Sequence, residues 1–309
     1  TVAAGVLQAG IAQGFSNASA HVIQAAGILR LNNFDATIGS LAGAGTVENG
    51  GTANARTLTV GGDNTSTTFS GTLQNGGAFG LGLAKTGNGM LTLSGTNNNT
   101  GNFTVNGGRL SVVTGMTTMS AGQFTTASAA NTRGMLLIGS GASITTVDLD
   151  FGSNATLSAG AGYQTDGTVV LTAADGNTVF GLGNANTAYG YYEISGGSVN
   201  MNRLTLSNTG TSGTGVFRQT GGTVTVNTWT LVAHGSGSAL LDISGGVYNS
   251  GTNFALGAGG VGAFSFFNVR GSGVFIAATG STIFANRGDS NARDDMTNVV
   301  NLLTGGTIR

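Results

Sequence analysis

The sequence predicts an all-β fold, a right-handed parallel β-helix of about twelve coils with three short strands in each coil. The first observation behind this prediction is a short sequence motif, or phrase, that ends in Gly-Gly or Gly-Ser and recurs at residues 191–197, 216–222, 240–246, 266–272 and 300–306. Its first glycines are spaced 24 to 34 residues apart, a period typical of solenoids. The second is an alternation of apolar and polar residues after copies of this motif, which marks strands with one buried face. The third is the lack of any helical periodicity between the copies.

Each predicted coil holds three strands and three corners in about 25 residues. The alternating run at 198–201 is followed by a second short strand at 204–206 and then by a turn that leads to the next phrase. Parallel strands ordinarily need a long crossover, and a chain that winds round itself supplies one, because each strand pairs with its equivalent one coil later. The Gly-Gly pair fits a corner, since glycine adopts positive φ without steric cost.

The repeats also predict which side chains stack along the axis. One predicted column contains Ile194, Gln219, Ile243, Val269 and Leu303, and a second contains Val199, Val224, Tyr248, Val274 and Ile308. A third column, Glu193, Arg218 and Asp242, alternates in charge, so Arg218 is expected between two carboxylates in an inter-coil charge ladder on the surface. The alternative interpretation of the same column is a catalytic Glu/Asp pair.

The composition excludes several classes of function. Glycine contributes 57 of the 309 residues, charged residues only 7%, and there is no proline or cysteine. Proline would remove donors from stacked backbone ladders, so its absence suits a solenoid. The formal net charge is −1 without a basic cluster, so nucleic acid is not an expected partner. The longest apolar run, at 135–138, is too short to cross a bilayer, so no direct membrane insertion of this chain is expected.

The first third of the chain carries a different repeat. Its clearest copy covers residues 85–95 and begins Lys85-Thr86-Gly87-Asn88-Gly89. With the segments at 31–47 and 58–71, this copy resembles the autotransporter-associated β-strand repeat of bacterial passenger domains and large exported surface proteins. The resemblance implies a right-handed β-helix, extracellular or displayed on a bacterial cell surface. Such proteins usually carry a signal peptide and a C-terminal anchoring or sorting segment.

The predicted organisation is a single β-helix over residues 1–309. Residues 1–113 form the autotransporter-associated repeat region, and residues 114–188 form irregular coils that begin with a longer loop or side-packed arc at 114–133. Residues 189–309 form the Gly-Gly coils. The coil after Gly271 exceeds the period by about nine residues, which predicts an insertion loop near 286–295.

Two candidate sites emerge from residue types. Asp148 and Asp150 alternate on one predicted strand, as clustered acids do in polysaccharide-cleaving enzymes, and Asp166 and Asp175 lie near enough in sequence to join them. The competing interpretations are solvent-facing residues or a weak Ca²⁺ site, and no other cofactor is expected. Tyr191 and Tyr192, with Tyr189, form a candidate carbohydrate-binding strip, although most aromatic residues are expected in the core.

The insertion loop concentrates charge in a chain that is otherwise almost uncharged. It contains an Arg-Gly-Asp tripeptide and two further acids, so it is a candidate adhesion site, the alternative being a solvated loop with internal ion pairs. The candidate binding residues are Arg287, Gly288, Asp289, Asp294 and Asp295.

The functional hypothesis that follows is a non-enzymatic, exported structural protein of a surface layer, fibre or filament. The segments at 1–7 and 304–309 both read as corners, so we expect head-to-tail stacking of copies into a homopolymer. The alternatives are a carbohydrate-binding or carbohydrate-active β-helix acting on extracellular polysaccharide, and an adhesin that displays the 286–295 loop.

Overall fold

The structure is a computed structural model of the 309-residue chain. It describes residues 1–114, 116–118, 122–152, 155–172, 179–208, 212–257, 262–280, 282–285 and 297–309. These residues form strands, turns and bends, and none of them is helical. Accordingly, the described part of the chain offers no apolar helix of membrane-crossing length.

The strands are short and follow one another at close intervals along the whole chain. In chain order they are β1 (Val2–Gln8), β2 (Ala20–Arg30), β3 (Ala36–Ile38), β4 (Ser40–Gly43), β5 (Thr46–Glu48), β6 (Arg56–Val60), β7 (Thr67–Phe69), β8 (Thr72–Gln74), β9 (Leu81–Lys85), β10 (Met90–Leu93), β11 (Phe103–Val105), β12 (Arg109–Val112), β13 (Met116–Thr118), β14 (Phe124–Thr126), β15 (Arg133–Ile138), β16 (Ser143–Thr146), β17 (Leu149–Phe151), β18 (Ala159–Gln164), β19 (Thr168–Leu171), β20 (Val179–Leu182), β21 (Tyr189–Ile194), β22 (Ser198–Leu206), β23 (Thr214–Gln219), β24 (Thr223–Val232), β25 (Ser238–Ile243), β26 (Val247–Ser250), β27 (Asn253–Leu256), β28 (Phe264–Val269), β29 (Val274–Ala277), β30 (Thr282–Ala285), β31 (Thr297–Leu302) and β32 (Thr307–Ile308).

The strand pairings are parallel and join equivalent strands of adjacent turns, which confirms the predicted parallel β-solenoid. A 15-stranded sheet contains the first face, which runs from β2 through β4, β7, β10, β12, β15, β18, β21, β23, β25 and β28 to β31. The remaining strands form a second sheet that covers the other two faces. Within the stretch 114–133, expected as a longer loop or side-packed arc, β13 and β14 pair with strands of adjacent turns.

The solenoid makes about ten turns, slightly fewer than the twelve predicted. The difference arises because several turns exceed the assumed period: Gln164 pairs with Ile194, and Val269 pairs with Leu302. Neighbouring strands of a coil merge in some turns: β2 pairs with both β4 and β5, and β22 and β24 are each continuous, with a register shift in their pairing between Met201 and Arg203.

The core lies inside the coil and is built from every second residue of each strand. In the second half of the chain it contains a continuous series of rings in contact, Phe151, Phe180, Tyr192, Phe217, Tyr248 and Phe275. Gly162 makes room for this series, since a Cβ there would lie 2.4 Å from Tyr192 Cδ2 and 2.6 Å from Phe151 Cε1. Aromatic packing therefore accounts for most of the aromatic residues, as predicted.

The stacking columns follow the prediction except near the C-terminal end of the chain. Ile194, Gln219, Ile243 and Val269 are in register, but the next member is Leu302 rather than Leu303. In the second column Tyr248 pairs with Phe275 rather than Val274. At the predicted corners the second glycine of each pair has positive φ, 76° at Gly197, 70° at Gly222 and 74° at Gly246.

Candidate functional site

The outer surface of the first face carries a band of aromatic and apolar side chains that we call the outer strip. Because side chains alternate along a strand, the six-residue strands β15, β18, β21, β23, β25 and β28 each contribute three outward residues. The central column of the outer strip contains Met135, Ala161, Tyr191, Val216, Leu240 and Phe266. The columns on either side are Arg133, Ala159, Tyr189, Thr214, Ser238 and Phe264, and Leu137, Tyr163, Glu193, Arg218, Asp242 and Asn268.

The structure places Arg218 between Glu193 and Asp242 in one column of the outer strip. Arg218 Nη1 lies 3.3 Å from Glu193 Oε2, and Arg218 Nε lies 3.7 Å from Asp242 Oδ2. Arg270 donates from Nε to Asp242 Oδ1 at 2.9 Å and from Nη2 to Asp242 Oδ2 at 2.7 Å, and these bonds raise the pKa of Arg270. Both acids are therefore held by guanidinium groups of neighbouring turns, an arrangement that ties the turns together.

The two tyrosines of the predicted carbohydrate site point in opposite directions. Tyr191 faces outward, its hydroxyl donates to Glu193, and its ring lies 5.4 Å from that of Tyr163; burial is the main cause that raises the pKa of Tyr191 to about 12. Tyr192 is 0% exposed and donates its hydroxyl to Gln164 Oε1 at 2.6 Å. Adjacent residues of a strand face opposite sides, so Tyr192 cannot belong to a carbohydrate site on the exterior.

Asp148 and Asp150 lie beside each other, but Asp148 has a structural role. Its Oδ1 accepts a hydrogen bond from the Val179 backbone N–H at 2.8 Å, and its Oδ2 accepts one from Gln123 Nε2 at 2.9 Å. Asp150 lies in β17, paired with Thr125 and Gly181 of the adjacent turns. Burial raises the pKa of the Asp150 carboxyl to about 8, and the charge of Asp148 adds to the effect.

The wider acidic cluster does not form in the described residues. Asp166 is exposed, and Asp175 lies outside the part of the chain that the structure describes. Within the described ranges, no three or more His, Cys, Asp or Glu side chains are grouped so as to hold a metal ion. The candidate adhesion residues Arg287, Gly288, Asp289, Asp294 and Asp295 also lie outside the described residues.

Lys85 is a buried charge whose structural role the sequence analysis missed. It occupies a core-facing position between Val60 and Val105 of the adjacent turns and is 1% exposed. Its Nζ donates to the carbonyl oxygens of Thr86, of Gly87 at 3.3 Å and of Gly107 at 3.5 Å. Burial lowers the pKa of Lys85 to about 8, opposed by the charge of Asp63. The sequence did contain a signal for this burial, because Lys85 lies two residues after Leu83 and therefore on the same side of the strand.

Arg270 was missed for a different reason. Its register partners lie outside the predicted charge column, because Asn268, and not Arg270, is aligned with Asp242. Arg270 reaches Asp242 diagonally, with a long side chain that crosses from one turn to the next. A column read from the sequence identifies directly opposed residues and leaves out such diagonal partners.

Comparison with known proteins gives one positive finding. Residues 83–112, about a tenth of the 309-residue chain, match the family described as the passenger-associated-transport-repeat. This segment contains Lys85 and the strands β10, β11 and β12. No curated protein was found to match the chain, and no solved structure was found to match it. The repeat and the parallel solenoid together fit a β-helix repeat protein that is similar to autotransporter passengers.

Proposed function

We propose that this chain is a structural rod that is exported to the bacterial surface or beyond it, and that the β-helix itself performs the function. The observation that carries the proposal is the continuity of the first face, which stays in hydrogen-bonded register from β2 to β31. A passenger-type repeat within that ladder supports export.

The charged groups of the described rod act mainly between its turns. Asp148 links Gln123 to Val179, Asp242 accepts from Arg270, and Lys85 donates to the Gly107 carbonyl of the next turn as well as to two carbonyls of its own corner. Such interactions stiffen a rod because each turn is held to both of its neighbours. This distribution of charge favours a mechanical role over a single reactive centre.

Surface exposure can be tested on intact producing cells. Antibodies raised against the purified 309-residue chain should label intact cells or the culture medium, and external protease should remove the label from cells. Labelling that appears only after lysis would contradict the proposal. Electron microscopy of the purified chain should show rods, with the described turns contributing roughly 50 Å at about 4.8 Å per turn.

Within this proposal, the copies associate coil on coil. The edge of β31 and the apolar side chains of Val300, Leu302 and Leu303 are left uncovered by the described residues, and a further coil would cover them. That coil could come from a second copy or from more of the same chain. Sedimentation of the 309-residue chain over a concentration series should show growth, and Leu302→Lys should suppress it. A monomer at high micromolar concentration would contradict assembly.

A second candidate function is carbohydrate cleavage, favoured by the raised pKa of Asp150 beside Asp148. Release of reducing sugar from polysaccharides, lost in Asp150→Asn and Asp148→Asn, would support it.

The adhesin hypothesis for the 286–295 loop stays a prediction, and cell binding that is unchanged in Asp289→Ala would remove it.

A further inference from the structure

The corner at which β11, β14, β17 and β20 lead into the first-face strands β12, β15, β18 and β21 contains a cleft of about 610 Å³ that crosses several turns. Its walls include Arg109 at the start of β12, Arg133 and Met135 at the start of β15, and Tyr189 at the start of β21. These strands are successive in the first face, with β18 between β15 and β21. The cleft therefore runs along the solenoid axis over about 15 Å at a strand spacing of about 4.8 Å.

Small residues create the concave shape of this cleft. Ala159 pairs with both Arg133 and Tyr189, and Ala161 pairs with both Met135 and Tyr191, so two alanines form a depression between larger side chains. Gly134 lies on its floor, where a Cβ would come within 1.8 Å of the Val105 carbonyl oxygen. The chain cannot fill this floor with a side chain unless the corner moves.

The cleft is positively charged without an internal counter-ion. Arg109 and Arg133 are both exposed, and no Asp or Glu lines the cleft. Every ion pair between described residues involves other arginines, namely Arg30, Arg56, Arg218 and Arg270. In a chain with only 7% charged residues, two guanidinium groups on one cleft without a described carboxylate partner form a site for an external anion.

Aromatic surface continues from the cleft along the outer strip. Tyr189 is 43% exposed and lines the cleft, and the rings of Tyr163 and Tyr191 contact each other on the neighbouring columns. Exposed aromatic faces beside polar groups suit the flat apolar faces of sugar rings, while the planar fork of arginine suits carboxylate in two parallel hydrogen bonds. A sugar residue is about as long as the strand spacing of about 4.8 Å, so a linear glycan can follow the axis turn by turn.

We propose that this cleft, with Arg109, Arg133 and Tyr189 as its contacts, binds a linear acidic polysaccharide through the carboxylates of its sugar residues. The site is separate from Asp148 and Asp150 and does not depend on whether copies assemble. It would attach the rod to an anionic glycan matrix. An acidic peptide would satisfy the arginines alone and would not need the tyrosine faces.

The test is calorimetric titration of the 309-residue chain with a de-esterified oligogalacturonate, with dextran as the neutral comparator and polyglutamate as the acidic comparator. We expect oligogalacturonate to bind and to weaken as salt is raised. Arg109→Gln and Arg133→Gln should each weaken binding about tenfold. Arg56→Gln is the matched control, since it changes the net charge equally but removes an arginine that pairs with Asp35 at 3.6 Å. Tyr189→Phe should bind as the parent does, and Tyr189→Ala should bind more weakly.

Three results would overturn the proposal: no binding of oligogalacturonate by the parent chain, equal affinity for dextran or polyglutamate, or an equal loss of affinity in Arg56→Gln. Circular dichroism and melting temperature establish that each variant is folded. If Arg133→Gln has a lower melting temperature than the parent chain, Arg133→Lys takes its place, because lysine keeps the charge and loses the bidentate fork.

Discussion

Two buried glutamines show how single residues hold this solenoid together. Gln164 Nε2 donates to the carbonyls of Gly167 at 3.0 Å and Ser198 at 3.1 Å, and Gln219 Nε2 donates to those of Gly222 at 3.1 Å and Val247 at 3.0 Å. Both occupy an otherwise largely aliphatic core column, and each binds a corner to the next turn. Gln219, which interrupts the predicted column, thus has the same structural role as Gln164.

The two glutamines differ in one bond, and that difference gives a prediction. Gln164 Oε1 accepts from the Tyr192 hydroxyl, whereas no described group donates to Gln219 Oε1. Gln164→Leu should therefore lower the free energy of unfolding by about 1–2 kcal/mol more than Gln219→Leu, because it also strands a buried hydroxyl. Denaturant titration of both variants measures this. Tyr192→Phe added to Gln164→Leu should recover part of the loss; equal costs for the two leucine variants would contradict the assignment.

Asp150 gives a prediction for the pH dependence of stability. Its folded pKa of about 8 lies above the ordinary value of 3.8, so the folded state binds more protons between these pH values. The stability that it contributes is present below about pH 4 and is lost as the pH rises towards 8. Asp150→Asn should flatten this decline in melting temperature, with Asp166→Asn, an exposed aspartate, as the control. A decline of the same size in both variants would show that other groups cause it.

At the scale of the element, the corners that follow β20, β22, β24 and β27 adopt a left-handed conformation. Gly183, Ser207, Ala233 and Gly257 follow positions that pair with one another, and their φ values lie between 55° and 64°. Glycine takes this conformation freely, whereas serine and alanine are strained there. Ser207 also buries a hydroxyl oxygen that has no partner among the described residues.

Ser207→Gly should stabilise the chain by about 1–2 kcal/mol, since it removes the orphaned hydroxyl and relieves the backbone strain. Ser207→Ala removes the hydroxyl and keeps the strain, so it should raise the melting temperature less. Thermal unfolding of the two variants beside the parent chain distinguishes the contributions. A lower melting temperature for Ser207→Gly than for the parent would mean that the hydroxyl is satisfied by bound water.

At the scale of the whole molecule, stability depends on contacts between neighbouring turns. Contacts in a solenoid pass only between adjacent coils, so a defect in one coil separates the turns on either side. Thr225 is the third residue of β24 and pairs with Asn200 and Asn249 of the adjacent turns. It is therefore a suitable place to interrupt the ladder.

Thr225→Pro should cost about 3 kcal/mol or more, because proline deletes a ladder N–H and disturbs the strand. It should also divide thermal unfolding into two transitions, one for each side of the fault. Thr225→Val, which keeps the N–H and favours a strand, is the control and should melt like the parent chain. A single transition at the parent temperature in the proline variant would contradict a ladder that depends on nearest neighbours.

The sequence by itself determined the all-β solenoid, because its evidence is periodic: alternation sets the buried side, and the repeated glycine phrase sets the corners. The placement of Arg218 between Glu193 and Asp242 could be read for the same reason, since equivalent residues of adjacent coils are opposed. The number of turns could not, because turn lengths vary, as they do between Gln164 and Ile194 and between Val269 and Leu302. The tertiary structure alone decided that Arg270 reaches Asp242 diagonally, that Lys85 binds corner carbonyls, and that Arg109, Arg133 and Tyr189 border one cleft. Asp242 and Arg270, Lys85 and Gly107, and the three cleft residues lie on different turns at spacings that the repeat does not specify, so only the stacking of the turns brings them together.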